Sequence, residues 1–106
     1  MEMTMEVYID CVGTDEQVTE VFKATLTELV QKFPGALQKG PHWERLPGRE
    51  KDMVIVDIPI EGSMLNVIRP IFGPTWRRIA YEKGRLPEYA IEAMRKKGEL
   101  PAKVQT

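Results

Sequence analysis

Thr14-Asp15-Glu16-Gln17 constrains this chain more tightly than any other four residues in it. The quartet is a capping box: the Thr14 side chain accepts from the Gln17 amide while Gln17 reaches back to the amide of Thr14, so a helix begins here. Behind it, Val18, Val21, Phe22, Leu26, Leu29, Val30 and Phe33 recur at spacings of three and four, which puts them on one helical face. Pro34-Gly35 stops the run. The spacing therefore predicts a helix over about 15–33. Its apolar stripe needs a second layer to lie on.

The flanking segments supply strands for that layer. Val7-Tyr8-Ile9-Asp10-Cys11-Val12 is β-branched and aromatic, and Gly13 closes it. His42-Trp43-Glu44-Arg45-Leu46 reads as a short strand, followed by a charged, turn-like Pro47-Gly48-Arg49-Glu50-Lys51-Asp52. Met53 to Ile60 is apolar on both faces, as a central strand is. Pro59 cannot donate to a ladder, so that end of the strand is expected at an edge or terminus. Period-two alternation sorts the side chains. Val7, Ile9 and Cys11 fall on one face with Val54, Val56, Ile58 and Ile60, the seat for helices. Tyr8, Asp10 and Val12 fall on the other with Met53, Ile55 and Asp57. That second face reads as too apolar to be bare, so a cover is expected: another subunit, a partner protein or a ligand.

After residue 62 the signals are helical. Ser63 suits an N-cap, and Met64, Leu65, Val67 and Ile68 lead to Pro70, which ends or kinks a helix. Gly73-Pro74 restarts one, with Pro74 at a first helical position, and Trp76, Ile79 and Ala80 follow at helical spacing. Lys83-Gly84-Arg85-Leu86-Pro87 and Lys97-Gly98-Glu99-Leu100-Pro101 are two stops of one chemistry: a cation, a glycine for the left-handed position, then leucine and proline. They bracket a last helix over about 87–97 with Ala90, Ile91 and Met94 inward. Residues 99–106 read as a loose polar tail.

The expected order is β-α-β-β-α-α-α, an α+β chain forming a single domain over 1–106. Its first five elements suit a two-layer split βαβ, or ferredoxin-like, core, with helix where a fourth strand would stand and a basic helical C-terminal end. In such a core the first and third strands are expected to be parallel central neighbours, bringing Asp10 beside Asp57. No apolar run approaches the ~18 residues of a membrane span. The acidic Met1-Glu2-Met3-Thr4-Met5-Glu6 does not read as a signal peptide. The lone Cys11 points to a reducing compartment, hence a cytoplasmic protein. One Cys and one His exclude an all-N/S zinc site within one chain, and no metal or cofactor is expected.

Charge is distributed unevenly. Residues 1–62 hold 12 Asp/Glu and 6 Lys/Arg, whereas residues 63–106 hold 4 and 9. The overall net charge of −1 thus conceals an acidic body and a basic end. Arg69, Trp76, Arg77 and Arg78 form a candidate site for an anion or a protein partner, because guanidinium beside an indole suits phosphate or carboxylate. Trp76 at core spacing equally suits packing, and cations in last turns equally suit the helix dipole. With a pI near 5.9 and no reader motif, nucleic acid is not the expected partner.

Two functions fit. The first is a small cytosolic accessory domain without catalysis, docking on a protein or self-associating, as a homodimer for example, through the apolar sheet face and the basic end. The second is a small cofactor-free enzyme or ligand binder of the dimeric α/β-barrel type. In it, Asp10, Asp57 and His42 would do acid–base work in a pocket over the sheet. The plain alternative for the two aspartates is solvent exposure at strand ends. Cys11, on the helix-covered face, is expected to pack as a small hydrophobe.

Overall fold

The computed structural model describes residues 2–34, 42–45, 53–61 and 64–100. Six elements run in the order β1 (Glu2–Asp10), α1 (Asp15–Lys32), β2 (His42–Arg45), β3 (Met53–Glu61), α2 (Leu65–Glu82) and α3 (Glu88–Lys96). The protein is α+β, with three helices and an antiparallel three-stranded sheet among the described residues. No helix there is long and apolar enough to cross a membrane.

α1 starts at the expected cap. Gln17 N–H donates to Thr14 Oγ1 at 3.2 Å and Thr14 N–H to Gln17 Oε1 at 2.9 Å, so two amides that would otherwise lack partners are satisfied. Val18, Val21, Phe22 and Leu29 are buried, whereas Val30 is exposed and Thr25 takes a core position. Thr25 is tolerated there because its hydroxyl donates to the Val21 carbonyl at 2.8 Å.

β3 is central, in the order β1-β3-β2, and runs antiparallel to both neighbours. The parallel pairing expected for the first and third strands is corrected to an antiparallel one: the parallel strands are β1 and β2, joined through α1, and β3 lies between them and runs against both. The described part of β2 pairs only with Val54–Asp57, so Pro59 lies beyond that ladder and opposes Thr4 alone. The sheet is two-sided as the alternation requires. Met5, Ile9 and Ile58 are buried on one face, while Glu6, Tyr8, His42 and Glu44 are exposed on the other. Trp43, on the helix side, donates its indole N–H to Thr19 Oγ1 of α1 at 3.0 Å and ties β2 to that helix.

The second correction concerns α2. Two helices were expected, divided at Pro70 to Pro74; one helix of 18 residues runs through both prolines. Each proline removes one N–H, freeing the carbonyls of Asn66 and Pro70. The two prolines stand four residues apart and are exposed, so water can reach that side of the helix. The opposite side buries Ile68, Phe72, Trp76, Ile79 and Ala80, with Phe72 and Trp76 stacked at 6.2 Å between ring centroids. Tertiary burial outweighs the local penalty. The N-cap is Met64, with no side-chain cap, rather than Ser63, which lies outside the described residues.

Both glycine stops form as expected. Gly84 has φ +70° and Gly98 φ +73°. After α2, Gly84 N–H donates to Tyr81 O and Arg85 N–H to Ala80 O; after α3, Gly98 donates to Arg95 and Glu99 to Met94. Each is the paired bonding of a Schellman motif. Leu86 then enters the core and Leu100 packs against it. Glu99 and Leu100, expected in the tail, are held by this stop; residues 101–106 lie outside the described residues.

Candidate functional site

His42 and Glu44 stand two residues apart on β2 and therefore share the face of the sheet that no described helix covers, its uncovered face. The antiparallel register sets His42 opposite Asp57 on β3, and Asp57 opposite Glu6 on β1. His42 Nε2 lies 3.4 Å from Asp57 Oδ2 and 4.0 Å from Glu44 Oε1. One oxygen or nitrogen from each of these three side chains lies within 4.8 Å of the other two. Asp57 is half-buried, and its Oδ1 is buried with no hydrogen-bond partner among the described residues. Shielding a carboxylate oxygen from water without a donor is costly unless positive charge stands nearby. His42, when protonated, is the cation the geometry offers. The trio differs in kind from an all-N/S zinc set, since it provides one imidazole and two carboxylates.

Asp10 is not part of this group. It pairs with Met53, four residues along β3 from Asp57, or about 13 Å at the ~3.3 Å rise of a strand. The antiparallel direction separates the two aspartates. Asp10 instead belongs to the seam between β1, α2 and α3. Its carbonyl accepts from the Trp76 indole at 3.3 Å, and its carboxylate accepts from the Tyr89 phenol. Partial burial, followed by the Asp10 hydrogen bond and charge, pushes Tyr89 up to about 12. A recess of about 110 Å³ beside them, lined in part by Tyr8, Gly73 and Arg77, has room for a few waters.

Among the described residues, Trp76, Arg77, Arg78 and Arg69 of the basic end do not converge on one point. Trp76 is fully buried, so it packs instead of offering a platform. Arg77 pairs with Glu99 at 3.5 Å. Arg78 pairs with Glu28 and, at 3.2 Å, with Glu82. The Arg78 guanidinium holds the Glu28 carboxyl below its ordinary range, and Glu28 raises Arg78 in return. A groove of about 510 Å³ between the helices is lined by Lys32, Arg77 and Arg78 and by Glu28, Glu82 and Glu99, so its cations are matched by carboxylates. Arg69 is exposed on α2, away from that balance.

No family model, no curated protein and no solved structure matches the chain. The site is therefore read from its own residues. Sequence reasoning missed Glu6 and Glu44 on the uncovered face, although the same alternation locates them: Glu6 two before Tyr8, Glu44 two after His42. It also missed Tyr89, for which no local signal exists, because docking of α3 on the end of β1 creates the contact.

Proposed function

We propose that this chain is a non-catalytic interaction module that docks a basic protein segment on the uncovered face of its sheet. The observation that carries this reading is the character of that face. Its described side chains include Glu6, Asp10, Glu44 and Asp57 around an exposed Tyr8 and a half-buried Ile55. Where an apolar face in need of a cover was expected, the described side chains are mainly acidic, with an aromatic among them. Such a surface steers and orients a Lys/Arg-bearing partner, while tyrosine supplies rigid apolar contact. We read the two layers as a split βαβ, ferredoxin-like unit without its fourth strand, and the lone buried Cys11 as fitting a reducing, cytoplasmic setting.

The test is fluorescence anisotropy with a labelled peptide alternating Lys and Val, and a Glu/Val peptide as its control. The Lys peptide is expected to bind, and Glu6→Lys with Glu44→Lys is expected to weaken it by ~10-fold or more, the penalty of like charges at a contact. Equal binding of both peptides, or no effect of the double variant, removes the reading.

A second reading rests on one observation, the 3.4 Å approach of His42 to Asp57. In a cofactor-free enzyme these two would exchange protons with a substrate held over the sheet, without Asp10. Asp57→Asn would then abolish a measurable turnover, whereas the docking reading predicts no turnover and only a weakened affinity for the Lys peptide, which separates the two readings.

A further inference from the structure

We propose that His42, Glu44 and Asp57 form a binding site for a single divalent transition-metal ion of the zinc type. The proposal goes beyond the docking reading and does not depend on it. Three features support it. The first is spacing: a His-x-Glu pair on a strand puts an imidazole and a carboxylate on one face, and the register adds Asp57 directly across. The second is distance. Ligands on zinc at about 2.0–2.1 Å in tetrahedral array stand roughly 3.4 Å apart. His42 Nε2 and Asp57 Oδ2 are already 3.4 Å apart, and Oε1 of the exposed Glu44 stands 4.0 Å from the same nitrogen. The third is charge. Two carboxylates and an imidazole each bring an atom within 4.8 Å of the other two, and the buried Asp57 Oδ1 has no hydrogen-bond partner among the described residues. A dication between the three side chains neutralises both carboxylates at once.

The donor set selects the metal class. A nitrogen ligand with two carboxylate oxygens suits zinc and its first-row neighbours, whereas magnesium and calcium favour oxygen-only shells with more ligands. Three protein ligands at an exposed position leave one coordination site to water.

Isothermal titration of zinc chloride into the full chain tests this, with His42→Ala and Glu44→Gln as variants. Both side chains are exposed, so both variants are expected to fold, with circular dichroism as the check. The expected result is about one equivalent bound, and in each variant a loss at least as large as the roughly 10- to 100-fold that removing even an outer metal partner causes. No saturable binding by the parent chain, or a variant that binds as tightly as the parent, overturns the proposal. Peptide docking in metal-free buffer is a separate measurement, so failure of the metal site and failure of the docking reading are distinguishable.

Discussion

Tyr89 carries the most strongly displaced protonation equilibrium described in the molecule. Partial burial and the Asp10 carboxylate raise its phenol to about 12, from the ordinary value near 10. For an acid raised in the folded state, the unfolded chain ionises first as pH rises. The stabilisation is therefore complete below pH about 10 and is lost as pH climbs through about 12. Tyr89→Phe is expected to cost only about 0.5 kcal/mol near neutrality, because the residue is 44% exposed and its hydrogen bond is partly screened. It is also expected to flatten the fall of stability between those two pH values. Urea unfolding near pH 8 and near pH 11 measures both effects. An unchanged alkaline loss in the variant would place its origin in other groups. Single residues were unevenly legible in the sequence. Thr14 and Gln17 met because their partners are three residues apart, and the chain alone determines such a contact. Tyr89 and Asp10 meet across 79 positions of the sequence, where only the completed packing of α3 decides the outcome.

At the scale of elements, α2 separates local preference from tertiary demand. The local rule for proline is sound, since each one removes a backbone hydrogen bond. The rule is blind to the face opposite Pro70 and Pro74, where Phe72, Trp76 and Ile79 are buried. Packing of that face holds the helix continuous across the gaps. Because Pro70 is exposed, Pro70→Ala is expected to restore a donor with little disturbance of packing. The expected gain is about 1–2 kcal/mol, somewhat below the ~3 kcal/mol propensity difference because alanine also loosens the unfolded chain. A higher urea midpoint at unchanged slope is the outcome that supports this account. A lower midpoint would mean that the proline shapes α2 in a way its neighbours depend on. The strands and the two glycine stops were legible because their rules need no partner: alternation sorts faces, and left-handed glycine follows from sterics. Strand direction was not, because Asp57 can oppose Glu6 or lie near Asp10 with the same alternation. Only direction and register decide between them.

For the whole molecule, the uneven charge of the sequence resolves into two surfaces of different kind. Arg77, Arg78 and Lys83 pair with Glu99, Glu28 and Glu20, so these three cations of the basic half fasten α2 to α1 and to the α3 stop. The acidic half stays more open, with Glu6 and Glu44 exposed on the uncovered sheet face. That difference predicts oligomeric state. Two copies meeting sheet to sheet would set Glu6, Asp10, Glu44 and Asp57 against the same four carboxylates, and such like-charge contact costs several kcal/mol. A sheet-to-sheet homodimer is therefore not expected without a cation between the faces. The exposed Arg95, Lys96 and Lys97 at the end of α3 can instead meet the acidic face of another copy. Contacts of that kind are screened within about 10 Å at 0.1 M salt. Light scattering behind size exclusion, in metal-free buffer, is expected to give a monomer at high salt and, at most, weak association at low salt. A dimer that survives high salt would mean that apolar surface closes the sheet face, and docking of a basic partner there would be abandoned. A dimer that forms only when zinc is added and dissolves with a chelator would link the two acidic faces through His42, Glu44 and Asp57.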